Sequence, residues 1–466
     1  MAWLSILQLL TIPLYLKILG NEAWGLLSIV LIIYAFVAII GSGMSQVLPR
    51  EISIRNSANS KVLLWDISFG FERVFWVVGL IFAVVILLLG DALVARWINL
   101  ESIAYEDARM AFQLLALQLI IQWPVACYHG FLLGLNEHAK LNKMQVFFAT
   151  IKHVACVLSL IFIESSVFVY QVVFLIVSAA ETLFARRVSW SILGADKNSC
   201  KWNATEMKKV LGFVSGMTFT VLIGGVLVQA DKLLLSGLLP VSDFGFYSVA
   251  SVLSMALLQA VYPMTRSVYP ILSVLIDKNA SLVAINEKLI KILMATLLPA
   301  AVFIAVFSSE VLHLWTGNIE LVDKVSLVLS LLVAGTLMNG IYNIPYTLYI
   351  ASGNSRVPLI INMVSLLCIV VSLPVLFDKF GIQGAASSWL LVNFIAAIIG
   401  WKWIFSKRYA QKRSLLSFVF VGVLMVSFAL VVKKLVLGLA GMLIVAFVFA
   451  AFSSYTIYLI NKNIDN

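Results

Sequence analysis

The 466-residue sequence predicts an all-α polytopic membrane protein with about 14 transmembrane helices. Three observations support this fold class: 62% of the residues are apolar, only 12% are charged, and the apolar residues form long runs separated by short basic loops. Soluble domains have about 45–50% apolar and about 25% charged residues. The composition therefore excludes a soluble enzyme and a disordered chain, and it argues against a β-barrel, whose strands alternate apolar and polar residues.

Fourteen apolar runs are each close to the roughly 20 residues that a helix needs to cross the hydrocarbon core. The first six runs are residues 2–18, 24–48, 71–89, 111–133, 144–163 and 167–185. The next six are 210–229, 244–264, 289–307, 325–351, 358–377 and 385–404, and the last two are 415–432 and 439–460. The seventh helix could extend through 233–239, which is also apolar.

Lysine and arginine set the predicted orientation. With the N-terminus inside, most of the 32 basic residues fall in inside loops, including the polar stretch 186–209, whereas the outside loops at 101–107 and 310–323 are acidic. This bias follows the positive-inside rule, so the net charge of +10 reflects topology and does not predict a nucleic-acid partner. An even number of helices places both termini in the cytoplasm.

Motifs for metal, cofactor or nucleotide chemistry are missing from the sequence. The four cysteines and four histidines have no metal-ligand spacing, and no P-loop is present. His153, inside an apolar run, is expected to be a packing residue. We therefore predict a protein that is not an enzyme and that has no metal and no cofactor.

Two landmarks recur at nearly the same offset along the chain. The motif W-G-x-x-S at 24–28 opens the second run, and F-G-x-x-S at 244–248 opens the eighth; Pro124 and Pro345 are separated by almost the same distance. The register predicts that helices one to six and seven to twelve are copies in the same orientation, related by a pseudo-two-fold axis along the membrane normal. A chance match in an apolar sequence of low complexity is the alternative.

The repeat divides the chain into two lobes and an addition. Residues 1–190 are predicted to form the N-lobe with helices one to six, and 191–209 a cytoplasmic linker. Residues 210–405 form the C-lobe with helices seven to twelve. Residues 406–466 hold a basic loop and two extra C-terminal helices outside the repeat.

A series of short motifs follows the first twelve runs. They are K-I-L-G at 17–20, W-G at 24–25, A-D-K-L-L-L at 230–235, F-G-F-Y-S-V-A at 244–250, A-S-G-N at 351–354 and G-I-Q-G-A-A at 381–386. The series resembles the polysaccharide (O-antigen and capsule repeat-unit) flippases of the multidrug/oligosaccharidyl-lipid/polysaccharide exporter superfamily. Lys17 stands where arginine is common in that family, and fourteen helices also occur in its lipid II flippase group.

The resemblance implies a two-lobed helical fold around a central cationic cavity that works by alternating access. The implied substrate is an undecaprenyl-diphosphate-linked oligosaccharide repeat unit. It would move from the cytoplasmic to the outer leaflet of the bacterial cytoplasmic (inner) membrane for O-antigen or capsule biosynthesis. Membrane lipid is a further partner, and a polysaccharide polymerase and a chain-length regulator are candidate partners.

Four basic residues are candidates for binding the diphosphate, because phosphate groups prefer Arg and Lys and an intramembrane cation indicates function. Lys17 ends the first helix near the outside, and Arg50 and Arg266 lie at the inside mouth of the second and eighth helices. Lys152 lies deeper, within the fifth helix. Snorkelling of Lys17 to the interface and topology anchoring by the two arginines are the alternatives.

Acidic residues inside the runs are candidates for ion or proton coupling. Glu181, near the inner end of the sixth helix, can pair with Lys152 either structurally or as a proton-linked switch. Asp231 is the second candidate; because Lys232 is adjacent to it on a helix, the two side chains are expected to point apart. Glu72, at the start of the third run, is expected to be interfacial.

Four prolines interrupt predicted helices, and most are expected to be plain kinks. They are Pro13, Pro124, Pro299 and Pro345. Pro13 is the hinge candidate, because it lies in the first helix with Gly20 nearby.

Two other functions stay open at this point. A multidrug or cation antiporter of the same superfamily would need acidic residues deep in the first lobe, where the sequence shows few. A membrane-embedded polysaccharide polymerase or acyltransferase usually carries a large outside loop or a His/Asp/Arg cluster, and the outside loop at 91–109 is short and has no such cluster.

Overall fold

The computed structural model describes residues 2–57, 61–194, 202, 204–278, 280–354, 356–436 and 438–462. Within these ranges the chain is almost wholly helical and contains no strand; Asn99 and Pro240 form an isolated β-bridge. The predicted all-α fold class is therefore confirmed.

The chain forms two compact units, residues 1–245 and 246–466. The helices of the first unit are α1 (Ala2–Leu19), α2 (Asn21–Ser57), α3 (Lys61–Arg96), α4 (Tyr105–Gln122), α5 (Val125–Gly134), α6 (His138–Phe162), α7 (Val167–Leu193) and α8 (Ala204–Leu238). Helix α9 (Val241–Ala256) continues into the second unit. There follow α10 (Leu258–Asp277), α11 (Val283–Ala295), α12 (Leu297–Val306), α13 (Ser308–Thr316), α14 (Ile319–Ala351), α15 (Arg356–Ser406), α16 (Lys412–Leu435) and α17 (Leu439–Lys462).

Length and composition agree with a membrane protein. Among the described residues, 11 helical segments are long and apolar enough to cross a bilayer, and many of their large apolar side chains are exposed on the protein surface. Helix α1, with 18 residues, is apolar but shorter than these 11 segments and is not counted among them. The side chains from 209 to 221 in α8 lie outside the described residues. A polytopic membrane protein is confirmed, and the count of fourteen helices stays a prediction.

The fourth predicted helix is broken into two. Helix α4 ends at Gln122 and α5 begins at Val125, because Pro124 has no N–H to continue the hydrogen-bond ladder. The break lies at the proline where the sequence predicts an interruption, and 105–134 as a whole still form one candidate membrane span. Next to the break, the Thr182 hydroxyl of α7 lies 2.8 Å from the carbonyl oxygen of Ile121 and also 2.8 Å from that of Ser178 in its own helix, so the two acceptors share its one hydrogen. Helix α7 thus helps to satisfy the backbone near the break.

The other prolines differ in their effect. The ninth run is divided at Thr296, three residues before Pro299, into α11 and α12. Helices α1 and α14 run through Pro13 and Pro345 without a break. The hinge role of Pro13 stays a prediction.

Helix α15 consists of two legs that meet at Gly381. This residue has φ 58° and ψ −141°, a conformation that is open to glycine and strained for other residues. A Cβ atom added to Gly384 would overlap the carbonyl oxygen of Leu376. Eight residues of straight helix would span about 12 Å, so the chain turns back on itself here. The two legs correspond to the separate helices predicted at 358–377 and 385–404.

The first unit includes α8, although the sequence assigns that segment to the C-lobe. Helix α8 packs along α2, where a Cβ atom on Gly225 would overlap the side chain of Ile39. The division at 245 therefore separates two regions by their internal packing, whereas the predicted lobes are the two copies of the sequence repeat. The lobe boundaries stay a prediction.

Two carboxylates, those of Glu22 and Glu101, attach the loop after α3 to the starts of α2 and α9. Glu22 Oε1, at the start of α2, accepts hydrogen bonds from the backbone N–H groups of Glu101 at 2.7 Å and Ile103 at 3.1 Å. The same carboxylate accepts from the N–H and the hydroxyl of Ser102. Glu101 in turn accepts from the N–H of Ser242 at 2.9 Å, which ties the loop to the start of α9.

Candidate functional site

A cavity of about 350 Å³ lies within the helical bundle of the first unit. Side chains from α1 to α7 line it, and most of the lining surface is apolar. Its polar lining residues are Gln122, His129, Gln145, Lys152, His153 and Glu181, and aromatic walls come from Tyr34, Phe75, Trp123 and Phe174. A polar cluster enclosed by apolar helices is the feature of this unit that most strongly indicates a site.

An ion pair between α6 and α7 lies at the centre of this cluster. Lys152 Nζ is 2.7 Å from Glu181 Oε2, and each side chain is only 9% exposed. The Lys152 ammonium also lies 4.9 Å from the ring centre of Phe174, and His129 Nε2 lies 4.0 Å from Glu181 Oε1. Removing one partner of such a buried pair would leave an uncompensated charge, which costs about 3–5 kcal/mol. The pairing of Lys152 with Glu181 is therefore present as predicted, and its role stays a prediction.

His153 connects this cluster to α1. Its Nδ1 lies 3.2 Å from the Thr11 hydroxyl and 3.1 Å from the Tyr15 hydroxyl. These contacts agree with the expected packing role, and they also fix the position of α6 next to Lys152.

Two polar groups in the cavity wall keep unused hydrogen-bonding capacity. Trp123 Nε1 and His129 Nε2 are buried and have no hydrogen-bond partner among the described residues. His129 Nδ1 lies 3.4 Å from the amide nitrogen of Gln145. An unsatisfied buried polar group costs about 1–3 kcal/mol. These groups can therefore bond to a polar ligand that enters the cavity.

A second buried network surrounds Glu72. Its carboxylate accepts hydrogen bonds from the Tyr128 hydroxyl at 2.7 Å, from Arg186 Nε at 2.5 Å and from Trp190 Nε1 at 3.1 Å. Helix α3 begins at Lys61, so Glu72 lies three turns inside the helix and its side chain is buried in the protein. Its position at the membrane interface stays a prediction. The network binds α3, α5 and α7 together.

Asp231 and Lys232 are both buried on α8 and contact each other. Lys232 Nζ lies 3.2 Å from Asp231 Oδ1, and it also donates to the carbonyl of Val228 at 3.2 Å. The expectation that the adjacent side chains point apart is wrong, because the long lysine chain bends back along the helix. The charge of Asp231 is thus compensated within α8.

The other predicted cations are not among the residues that line the cavity. Lys17 and Arg266 are exposed, and Arg50 is exposed and pairs with Glu51 at 2.8 Å. Glu51 also binds Arg55 at 2.5 Å. Among the described lining residues, Lys152 is the one predicted cation. Binding of a diphosphate by these four residues stays a proposal.

Several polar residues of the cavity had no role predicted from the sequence. Gln145 and Lys152 are seven residues apart on α6, with Ala149 between them, so all three share one helix face. Two polar residues on one face of an otherwise apolar helix form a pattern from which Gln145 could have been predicted as a site residue. His129 and Gln122 had no such pattern, because they come together only through the break between α4 and α5.

The fold and the enclosed charged cavity define a multi-pass α-helical membrane protein. A family model described as "Polysaccharide biosynthesis protein" matches residues 16–319, so the chain belongs to this family. A putative O-antigen transporter of Shigella flexneri is 24% identical over 398 residues, covering 84% of this chain and 91% of that protein.

Two solved structures share the fold. The lipid II flippase MurJ in an inward closed conformation aligns with a TM-score of 0.75 at 14% identity, covering 99% of this chain and 98% of that one. An inward-facing multidrug resistance MATE family transporter of the MOP superfamily aligns with a TM-score of 0.70 at 13% identity, covering 90% and 95%. The family match confirms the resemblance at the level of the polysaccharide biosynthesis family, and the two structures show that the chain shares their fold.

Proposed function

We propose that this protein flips undecaprenyl-diphosphate-linked oligosaccharide repeat units from the cytoplasmic to the outer leaflet of the bacterial inner membrane. Family membership and the similarity to a putative O-antigen transporter support this function. The observation that carries it is the cavity in the apolar bundle of the first unit, which is lined by polar groups and by the Lys152–Glu181 ion pair. A polysaccharide polymerase and a chain-length regulator would act on the unit after it is flipped.

The cavity suits the glycan better than the diphosphate. Because Glu181 compensates Lys152, the cavity carries both donors and acceptors with little net charge. Hydroxyl groups need this mixture, whereas a diphosphate needs net positive charge. In this proposal the exposed cations Lys17, Arg50 and Arg266 attract the diphosphate. No covalent bond is made or broken, so the protein acts by sheltering polar groups while the lipid tail stays in the membrane.

Protonation of Glu181 offers a way to couple transport to a proton. A neutral Glu181 no longer holds Lys152, whose ammonium could then bind the diphosphate. Asp231, paired with Lys232, is the second coupling candidate. The membrane potential alone would also favour export, since moving one charge across 100 mV is worth about 2.3 kcal/mol and a diphosphate carries roughly two negative charges. Alternating access of the cavity to the two sides of the membrane completes the proposed cycle.

A deletion strain tests this function. Loss of surface polysaccharide and accumulation of the lipid-linked unit on the inner leaflet are expected, and the wild-type gene should restore both. Lys152→Ala and Glu181→Gln should restore transport poorly at equal protein levels. Lys324→Ala, which removes an exposed lysine paired with Glu320 at 3.2 Å, is the matched control and should behave like wild type. Normal surface polysaccharide in the deletion strain would contradict the proposal.

A cation antiporter is the second candidate, because the MATE fold is shared and the first unit contains more buried acids than expected from the sequence. Each of these acids has a basic partner: Glu72 binds Arg186, Glu181 binds Lys152, and Asp231 binds Lys232. None therefore presents a net negative charge to a cationic drug. Proton-driven efflux of a cationic dye from vesicles, lost in Glu181→Gln, would favour this candidate over the flippase.

A further inference from the structure

A groove between α6 and α7 opens on the surface of the first unit, with a volume of about 870 Å³. Lys140, Lys143 and Phe147 line it from α6, and Phe184, Arg187 and Ser191 line it from α7. In both helices the three residues are spaced i, i+3 and i+7, so each set follows one helix face. The groove is separate from the cavity that holds Lys152 and Glu181.

The groove is charged at one end and apolar at the other. Helices α6 and α7 pack together and are joined by the short loop 163–166, so they run antiparallel and the start of α6 lies beside the end of α7. This arrangement places Lys140, Lys143 and Arg187 toward the common end. Phe147 lies seven residues, about 10 Å, along α6 from Lys140, and Phe184 lies almost one turn further from the end of α7 than Arg187.

The apolar part of the groove faces the surroundings of the protein. Phe147 is 57% exposed and Phe184 is 50% exposed. Two large exposed aromatic side chains on a pair of membrane helices make favourable apolar contacts with lipid acyl chains.

The charged end has a net positive charge. Lys140 pairs with Glu137 at 3.0 Å, whereas Lys143 and Arg187 are exposed and make no ion pair within the described residues. The neighbouring Arg186 is occupied by Glu72. Two uncompensated cations therefore remain at the mouth of the groove.

We propose that this groove binds an anionic phospholipid, with its phosphate at Lys143 and Arg187 and its acyl chains along Phe147 and Phe184. Arg and Lys form strong charge-assisted hydrogen bonds with phosphate oxygens, and basic pockets between membrane helices suit anionic headgroups. A zwitterionic lipid offers the same phosphate, but its ammonium group is repelled by the two free cations. The proposal does not depend on the flippase function.

Binding can be measured by native mass spectrometry of the purified full-length protein with phosphatidylglycerol or phosphatidylcholine. We expect wild type to bind phosphatidylglycerol at least tenfold more tightly than phosphatidylcholine, and the variant Lys143→Gln/Arg187→Gln to lose this preference. The matched control is Lys288→Gln/Lys291→Gln, which removes two exposed lysines of α11 and should keep the preference. A second variant, Phe147→Ser/Phe184→Ser, should weaken binding of both lipids.

Three outcomes would overturn the proposal. The first is wild-type preference for phosphatidylglycerol in Lys143→Gln/Arg187→Gln, with unchanged thermal unfolding of the lipid-free protein. The second is equal binding of both phospholipids by wild type. The third is displacement of phosphatidylglycerol from wild type by an equimolar amount of undecaprenyl diphosphate, which would make the groove a substrate site. Each outcome leaves the deletion-strain test of the flippase function unaffected.

Discussion

Gly25 and Gly245 are in backbone contact: a Cβ atom built on Gly245 lies 3.0 Å from the Cα of Gly25. These two glycines hold the same place in the W-G-x-x-S and F-G-x-x-S motifs that define the sequence repeat. The two copies of the motif therefore meet in the folded chain. A side chain at either position would separate α2 from the start of α9, which gives a physical reason for glycine in both copies.

Gly25→Ala should strongly destabilise the first unit. Its Cβ atom would overlap the backbone oxygen of Val241, which cannot move aside as a flexible side chain could. Overpacking of this kind costs about 1–3 kcal/mol or more. The thermal unfolding midpoint of purified protein measures the effect. Gly90→Ala is the control, since its nearest neighbour is the Phe112 side chain at 3.4 Å; equal unfolding midpoints for the two variants would contradict this explanation.

Glu22→Ala should release the loop that follows α3. The carboxylate accepts backbone hydrogen bonds from 101–103, and three N–H groups would lose this acceptor. Because the loop then loses its attachment to α2, trypsin should cut after Arg96 or Arg109 several-fold faster than in wild type. Glu106→Gln removes an exposed acid from the same region and should leave the cleavage rate unchanged. A Glu22→Ala protein as resistant as wild type would show that the loop is held by other contacts.

Lys152 and Glu181 should show strong coupling in a double-mutant cycle. Lys152→Met alone and Glu181→Gln alone each leave one partner unpaired, and we expect losses of about 3–5 kcal/mol where a buried charge remains. The double variant removes both charges and should regain most of the lost stability. Thermal unfolding of the four proteins gives the coupling. Simple additivity of the two losses would mean that the pair makes no net interaction.

Thr182→Val should destabilise the protein by about 1 kcal/mol, because the Ile121 carbonyl near the helix break loses the hydroxyl that it shares with the carbonyl of Ser178, each at 2.8 Å. Valine has nearly the same shape, so packing changes little. Thr347→Val is the comparison, since the Thr347 hydroxyl bonds the carbonyl of Asn343 in its own helix at 2.7 Å. A smaller loss is expected there, and equal losses would argue against a special role for the break.

Apolar periodicity and composition were sufficient to predict the helical membrane fold and most of the runs. They predicted an interruption at Pro124 but could not decide between a kinked helix and two helices, because a proline inside an apolar run is compatible with both. The structure has two helices here, and the contact of the Thr182 hydroxyl with the Ile121 carbonyl near the break has no local pattern in the sequence. Pro13 shows the opposite outcome, since α1 continues through it.

The candidate site was predictable only in part. Lys152 and Glu181 were found because charged residues are rare within apolar runs, and their pairing follows from the adjacency of consecutive helices. Glu72 was expected at the start of the third helix, but that helix begins ten residues before the predicted apolar run and includes Lys61, Asp66 and Ser68. The contact between Asp231 and Lys232 depends on a lysine rotamer, which helix geometry alone does not specify.

The reversal at Gly381 determines on which side of the membrane the two ends of α15 lie. Each leg of α15 is long enough to traverse a bilayer, so Arg356 and Ser406 emerge in the same compartment. A reporter enzyme fused after either residue should give the same reading. Deleting both legs together should leave the orientation of α16 and α17 in the membrane unchanged. Deleting a single leg should invert it.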